Sequence, residues 1–323
     1  MRVMNNLISI IVPVYNSERT LEMLFNSLTR QTYDYFEVLL INDGSSDRSV
    51  DICKKIVQED SRFHVFSQKN SGVSSARNFG IEKSKGEFIS FVDSDDYVED
   101  IFLEQMIGSV KKDRTDMAIC NYQSFIEESN NKFQKSKSFS SVTDSYSTIE
   151  AILISKSFYR GFSCNKLFKR EIINDTALKF DTDLAVLEDM NFVITYLMGI
   201  KKVSIIDSPL YNYRQHESSA TKKINNNYLT VFKSIDKLSL TLPEEYSIYL
   251  NSLKFEYYII LIINGLKHRN MKLVLTIDTS DWKKLSADYS KVHSEENGKK
   301  KMKKIIADTL LAFINLVFKS SIT

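Results

Sequence analysis

Asp93-Ser94-Asp95-Asp96 puts three carboxylates directly after an apolar run, Glu87-Phe-Ile-Ser-Phe-Val92. If that run is a strand of an open α/β sheet, the acids stand at its carboxyl end, where such sheets bind ligands. Like charges at this density repel unless they are solvated or gathered round a cation. Hard divalent ions prefer oxygen ligands, and Mg²⁺ is usually shared between one or two carboxylates and a substrate's phosphates. The other reading is a solvated turn that caps the following helix.

Three more loops carry residues suited to the same chemistry. The first holds Pro13, Tyr15 and Asn16, and the second holds Asp43, Gly44 and Asp47. The third, Asn70 to Gly80, opens a helix, so its backbone N–H groups and Arg77 are expected to face an anion. Neither Gly-x-Gly-x-x-Gly nor a Walker Lys-Ser/Thr occurs, which counts against dinucleotide-binding dehydrogenases and P-loop enzymes. A cation held by Asp95, with basic groups from elsewhere, suits a diphosphate. Farther on, Glu188-Asp189 opens a helix striped with Phe192, Val193, Tyr196 and Leu197. On those residues alone, the two acids are first-turn carboxylates favoured by the helix dipole.

Strands and helices must alternate to bring these loops together. Leu7 to Val14 is a near-continuous β-branched run, as in a parallel strand covered on both faces. Ser17 is the expected N-cap of a helix through Leu21, Leu24, Phe25 and Leu28. Strands are expected over 36–41, 63–66 and 87–92, with helices over 47–60 and from 72 to Lys83 between them. Such alternation means βαβ units and a parallel sheet. A helix over 102–110 and a strand over 116–122 continue it, and short strands over 203–206 and 210–213 flank Pro209. The segment 127–144 is rich in Ser, Asn and Lys and reads as an excursion or a weak hairpin. Beyond Thr221 the pattern is amphipathic helix, interrupted over 278–292.

With 323 residues, 43% of them hydrophobic and 26% charged, the chain can bury a large core and does not have the composition of disorder. Its net charge of +2 gives no basis for nucleic-acid binding. Cys53, Cys120 and Cys164 are odd in number and widely spaced, which excludes a disulfide framework and a cysteine zinc site and suits a reducing cytoplasm. No signal-type or bilayer-spanning run is read in the sequence, so a cytoplasmic location is expected.

Taken together, Ile11-Val-Pro-Val-Tyr-Asn16, Asn42 to Asp47, Gly72 through Ala76-Arg-Asn78 and Asp93 to Asp96 resemble, in order and spacing, the family 2 glycosyltransferases. The resemblance continues through Asn165-Lys166-Leu-Phe168, Glu188-Asp189 and Tyr213-Arg-Gln-His-Glu-Ser-Ser-Ala-Thr221. It implies a GT-A fold: a mostly parallel central sheet with helices on both faces, followed by a helical C-terminal region. The domains implied are 1–222 for nucleotide-sugar binding and catalysis, and 223–323 for acceptor, oligomer or membrane contacts.

The implied reaction is inverting transfer from a UDP-sugar to a glycan or lipid-linked saccharide in cell-surface or secreted glycan synthesis, with Mn²⁺ or Mg²⁺. By resemblance Asp43 reads the uracil edge beside Tyr15 and the backbone near Pro13, Asp93 lies at the ribose, and Asn16 and Ser94 belong to the nucleotide and donor site. Asp95 holds the metal, with His216 as a second candidate ligand, and Arg77 lies near the nucleotide. Arg214, His216 and Ser218 or Ser219 are candidates to fold over the diphosphate, against a plain core or surface role for His216. Asp189 is the general base, and Glu188 and Lys166 lie on the acceptor side. Asp96 is left between this site and a helix cap. A sugar-phosphate nucleotidyltransferase also sets acids beyond a parallel strand, and a non-catalytic nucleotide-sugar-binding subunit is a third reading.

Lys299-Lys-Lys-Met-Lys-Lys304 precedes an apolar stripe from Ile305 to Phe318, interrupted by Asp308 and Asn315. That pattern suits a helix lying on an anionic membrane at the inner face of the cell, each Lys contributing about 1 kcal/mol. A packed terminal helix or a homo-oligomer interface are the rival readings.

Overall fold

The computed structural model describes residues 6–125, 140–154, 159–215, 226–267, 280–294 and 309. The chain divides into one unit of Met1–Asp183 with Leu187–Ala220 and a second of Leu184–Val186 with Thr221–Thr323.

In the first unit β1 (Ile8–Val14), β2 (Phe36–Asp43), β3 (Phe63–Gln68) and β4 (Phe88–Phe91) pair in parallel in the order β3-β2-β1-β4. The helices α1 (Leu21–Thr29), α2 (Ser49–Glu59) and α3 (Val73–Lys83) connect them. The registers Val14↔Asn42 and Ile11↔Phe91 bring the carboxyl ends of β1, β2 and β4 to one edge, which positions the loops that carry the acids. Every residue of β2 is buried, including Glu37, Asn42 and Asp43 among its apolar residues, as a strand covered on both faces requires.

Beyond β4 the sheet changes character. β4 pairs antiparallel with β8 (Lys166–Lys169), and β8 pairs antiparallel with β6 (Met117–Phe125), which follows α4 (Phe102–Asp113). Between β6 and β8 in the chain come β7 (Ser140–Asp144), α5 (Ser145–Leu153) and the turn that precedes β8. After β8 come α6 (Arg170–Asp175), α7 (Glu188–Met198) and β9 (Lys202–Arg214). β9 is parallel to β6, while β7 and the short β5 (Tyr97–Val98) pair antiparallel with it.

Three expectations change. The two short strands around Pro209 are one strand, β9. Proline has no N–H to donate, yet it costs nothing here, because β7 reaches only Ile206, β5 begins at Tyr211, and the register with β6 shifts at Asn121, opposite Pro209. Ser17 does not cap α1, which starts at Leu21; its hydroxyl pairs with the Ser94 hydroxyl at 2.7 Å. The interruption over 278–292 contains a helix, α10 (Trp282–Val292).

In the second unit α8 (Thr230–Thr241), α9 (Ser247–Lys267) and α10 enclose an aromatic core of Tyr228, Phe255, Tyr258, Trp282 and Tyr289. Trp282, Leu285 and Tyr289 supply the buried face of α10 at helical spacing, between Lys, Ser and Asp that hide the pattern in the sequence. Among the described residues no helix is long and apolar enough to cross a membrane. The segment 127–139 and, apart from Thr309, the stretch 299–318 lie outside the described residues.

At the edge opposite the acids, a buried network ties β1, β2 and β4 together. Ser9 Oγ donates to Glu37 Oε1 at 2.6 Å, Lys85 N donates to the same oxygen at 2.7 Å, and Gly86 N donates to Ser9 Oγ at 2.8 Å. A Cβ on Gly86 would lie 2.6 Å from Ser9 N, 2.7 Å from Phe88 O and 2.8 Å from Leu7 O. All three are backbone atoms of strands that cannot part without losing ladder bonds. Gly86→Ala is therefore expected to lower the unfolding free energy by about 1–3 kcal/mol, read as a lower urea midpoint at unchanged slope.

Candidate active site

At the shared carboxyl edge, the loop after β1 is fastened to the loop after β2. Asn16, at a φ of 50°, accepts from Ser46 N at 2.8 Å through Oδ1, and its own N–H donates to Ser45 Oγ at 3.1 Å. Pro13 is half-buried and Tyr15 is 52% exposed, presenting a flat ring at this edge. Asp43, at the end of β2, is buried and has both oxygens engaged. Oδ1 accepts from Gln68 Nε2 and Ser71 N, and Oδ2 accepts from Gly72 N, each at 2.8 Å. The N–H groups of Ser71 and Gly72, expected to face an anion, are thus turned onto Asp43. Gly72 has a φ of 89°, which a side chain would resist.

Arg77 corrects a second expectation: it does not stand open to an anion. It is 4% exposed, and its guanidinium is shared among carboxylates. Nη2 donates to Asp93 Oδ1 at 3.0 Å, and Nη1 donates to Asp189 Oδ1 at 2.7 Å and lies 3.7 Å from Glu188 Oε1. Its flat face sits 5.3 Å from the centre of the Phe180 ring, which stacks on Phe192 of α7 at 4.0 Å. Burial works against the charged guanidinium, but Asp189, Asp93 and Glu188 outweigh it and hold it protonated. The acids Asp93, from the loop after β4, and Asp189, from the first turn of α7, are thereby fixed to one side chain. The second oxygen of Asp189 accepts from Ser163 N at 3.2 Å.

The acid loop is held from β9. Asp96 has no exposed surface, and its carboxylate accepts from Tyr211 Oη at 2.6 Å and from Arg214 N at 2.8 Å. It is followed by β5, so the helix-cap reading of Asp96 is replaced by a latch onto β9. Tyr211 Oη also accepts from Asp93 N at 3.2 Å, and Arg214 Nε donates to the Asp95 carbonyl at 2.8 Å. Ser94 is tied down by its hydroxyl to Ser17 and by its carbonyl to Thr20 Oγ1 at 2.7 Å. Burial, with Asp93 and Asp95 as neighbours, pushes the Asp96 carboxyl well above its usual range. Asp93 is raised by burial against the pull of Arg77.

Lys166 and Arg214, expected on the acceptor and diphosphate sides, are both buried. Lys166 Nζ donates to the Arg160 carbonyl at 3.0 Å and to Asn165 Oδ1 at 2.9 Å. His216, Ser218 and Ser219 lie outside the described residues. Tyr211, Phe180 and the Ser163 N–H were not singled out from the sequence. A tyrosine in a strand, a phenylalanine in a turn and a backbone amide leave no signature there.

Among the described residues no group of three or more His, Cys, Asp or Glu is arranged to hold a metal by itself. Asp93 and Asp95 offer hard carboxylate oxygens at the strand end, a donor set that fits a divalent ion completing its shell with phosphates and water.

The chain matches the family model described as Glycosyl transferase family 2 over residues 9–176. It is 37% identical over 224 residues to the putative glycosyltransferase EpsH of Bacillus subtilis, covering 67% of this chain and 63% of EpsH. The chain thus spans somewhat less than two thirds of that relative's length. Among solved structures it resembles S. aureus TarS 1-349 in complex with UDP-GlcNAc, with a TM-score of 0.63 at 18% identity, covering 94% and 87% of the two chains. The mannosyltransferase PcManGT of Pyrobaculum calidifontis, in complex with GDP-Man and Mn²⁺, matches with a TM-score of 0.57 at 13% identity, covering 97% and 87%. These likenesses show a GT-A fold.

Glu188 gives the site a measurable signature. Burial, then the Asp189 charge, raises its carboxyl from 4.5 to about 7 despite Arg77. Below about pH 4.5 folded and unfolded chains both hold this proton. Between there and pH 7 only the folded chain holds it, so its contribution to stability is lost as pH rises through the folded value. The full difference is about 3 kcal/mol, at about 1.4 per pH unit. Glu188→Gln, which mimics the neutral acid, is expected to stabilise the protein by about 1–3 kcal/mol at pH 8 and to leave it unchanged at pH 4. Denaturant melts at the two pH values check the sign.

Proposed function

This chain belongs to glycosyl transferase family 2, and we propose that it moves a sugar, with inversion, from a UDP-sugar to a hydroxyl of a glycan or lipid-linked saccharide. The observation that carries this reading is the single guanidinium of Arg77 on both Asp93 and Asp189. It supports a site in which an acid at the expected donor edge and a carboxylate from the first turn of α7 are held by one side chain.

In this reading the donor lies along the ends of β1, β2 and β4. Tyr15, Asn16 and Asp43 face the base, and Asp93 and Ser94 face the ribose. TarS, which carries UDP-GlcNAc in its solved form, supports a uridine donor by likeness of fold. Asp95, with Asp93 beside it, would hold Mn²⁺ or Mg²⁺, an ion that neutralises charge developing on the leaving diphosphate. Arg77 is committed to carboxylates, so it is poorly placed to do that work itself. His216 and Ser218, directly after β9, are placed in sequence to close over the diphosphate.

Asp189 takes the proton of the acceptor hydroxyl while that oxygen forms a bond to the anomeric carbon. The bond from that carbon to the phosphate oxygen breaks, and its electron pair leaves on the diphosphate. One base and one leaving-group stabiliser suffice for a single inverting displacement, so no second carboxylate is required as a nucleophile. Arg77 and the Ser163 N–H each occupy one lone pair on the Asp189 oxygens, leaving others for the acceptor.

A screen for UDP release across UDP-glucose, UDP-galactose and their N-acetylated forms, with and without saccharide acceptors, tests the reaction. Asp189→Asn is expected to cut turnover by about 10²–10⁴, with a smaller effect on UDP-sugar affinity by calorimetry. An equal loss of both would make Asp189 a donor ligand.

Asp95→Ala is expected to abolish transfer while the protein stays folded, since Arg214 Nε donates to the Asp95 carbonyl, which the substitution keeps. Excess EDTA is expected to do the same to the wild-type enzyme. Full turnover in EDTA would rule out the metal.

A further inference from the structure

The first residue of β8, Lys166, is a buried cation that the reaction above does not use. Lys166 has no exposed surface, and among the described residues its ammonium donates to two neutral oxygens, the Arg160 carbonyl and Asn165 Oδ1. Among the described residues it has no carboxylate within ion-pairing distance, in contrast to Arg77 in the same unit. An ammonium without a carboxylate partner is an expensive thing to bury, and an apolar side chain of similar volume is often tolerated better in such a place.

What the ammonium does hold is the segment from Arg160 to Asn165. Both end residues lie in the left-handed region, Arg160 at a φ of 22° and Asn165 at 54°. For arginine that backbone is strained and persists only where its surroundings over-determine it. Asn165 is fixed again by its side-chain amide on the Cys120 carbonyl, and Cys120 N donates to the Asn165 carbonyl at 3.0 Å. Between the two ends, the segment lies directly on the first turn of α7. A Cβ on Gly161 would come within 2.7 Å of Met190 Cβ, one residue past Asp189. Ser163 then points its N–H at Asp189 Oδ2. Its hydroxyl is buried without a hydrogen-bond partner, so the backbone amide is what this position supplies.

We propose that Lys166 is a positioning residue for the base: its ammonium staples the 160–165 turn so that the Ser163 N–H sets the orientation of the Asp189 carboxylate. The proposal rests on the reading of Asp189 as the base. Arg77 alone grips one oxygen and leaves the carboxylate free to swing about that contact. A second donor on the other oxygen removes the swing, and displacements of about 1 Å at a reacting group can cost about a hundredfold in rate.

The groups that face the ammonium are the thiols of Cys164 on its own strand side and Cys120 on β6, and the carboxylate of Asp189 on α7. Burial outweighs all three and lowers the lysine to about 8. The staple therefore weakens as pH rises through about 8, because a neutral amine donates less strongly to both oxygens.

The test is Lys166→Met in the full chain, with two readouts. Backbone amide exchange over the 160–166 peptide, followed by mass spectrometry, is expected to rise at least tenfold in Lys166→Met while peptides of β1 and β2 stay unchanged. Turnover of the UDP-sugar selected by the screen is expected to fall tenfold to a hundredfold with UDP affinity within threefold of wild type. Wild type is expected to lose turnover as pH rises above about 8, and this pH-dependent fall should be missing in the variant. Unchanged exchange overturns the staple whatever the enzyme's activity. Raised exchange with full turnover overturns the link to the base. Loss of UDP affinity in step with turnover makes Lys166 a general support of the site and overturns the proposal as well. If Asp189→Asn keeps full turnover, the base assignment fails separately, and the exchange result still decides whether Lys166 holds the turn.

Discussion

One buried guanidinium organises the site. Arg77 lies in the first turns of α3, and its partners come from the end of β4, 16 residues on, and the start of α7, 112 residues on, so three elements meet on it. A buried ion pair gains little net stability, since desolvation offsets the attraction, but removing one partner costs about 3–5 kcal/mol because it leaves the other charge uncompensated. The arrangement thus specifies a geometry more than it stabilises a fold. It is also short of positive charge. Arg77 meets Asp93, Asp189 and Glu188, with Asp95 and Asp96 close by; burial first, and then the neighbouring carboxylates, raise the carboxyls of Asp93, Asp96 and Glu188. The divalent cation proposed for Asp95 would offset part of this negative charge where a diphosphate must also lie.

The acid loop is not held by its own strand. Asp96 hangs on Tyr211 and on the backbone of Arg214, and Arg214 in turn holds the carbonyl of Asp95. The parallel half of the sheet supplies the edge on which the loop stands, and the mixed half, through β9, supplies the latch that sets its height. That division explains why β9 runs unbroken through Pro209. Its final residues must reach the acid loop in register, with Val98 opposite Tyr211 and Tyr97 opposite Asn212. Whatever follows Arg214 in the chain therefore starts from a fixed point beside Asp95.

Much of this was legible from residue types, and the rest depended on pairings that no local pattern records. The parallel strands announce themselves as β-branched runs between helix-spaced segments, and the acids after β4 are visible as a cluster. β8 has only four residues with lysines at both ends, too short for alternation to show, and β5 has two. α10 hides its stripe among Lys and Ser. Arg77 could be picked out as functional by resemblance, but its partner lies 112 residues away. A reading based on the helix dipole therefore pointed it at an anion from outside, whereas the fold had already supplied three anions from within. The same holds for Ser71 and Gly72, whose N–H groups are satisfied by Asp43 at a separation of 28 and 29 residues.

Arg77 and Lys166, both buried, make opposite use of their chemistry. A guanidinium is planar and offers five donors in a fixed fork, so one Arg can hold carboxylates on different elements at once and keep its charge while doing so. An ammonium is a compact charge with three donors, and it gives up its proton far more readily when buried. Arg77 is placed where carboxylates must be kept apart yet joined, and burial does not threaten its charge. Lys166 is placed where only carbonyl oxygens need gathering, and it operates close to the pH at which it would lose its proton. The first sets the relation between the two acids, and the second acts at one remove, through a strained turn, on the orientation of one of them. Interchanging the two side chains would leave the net charge of the site unaltered and destroy both functions.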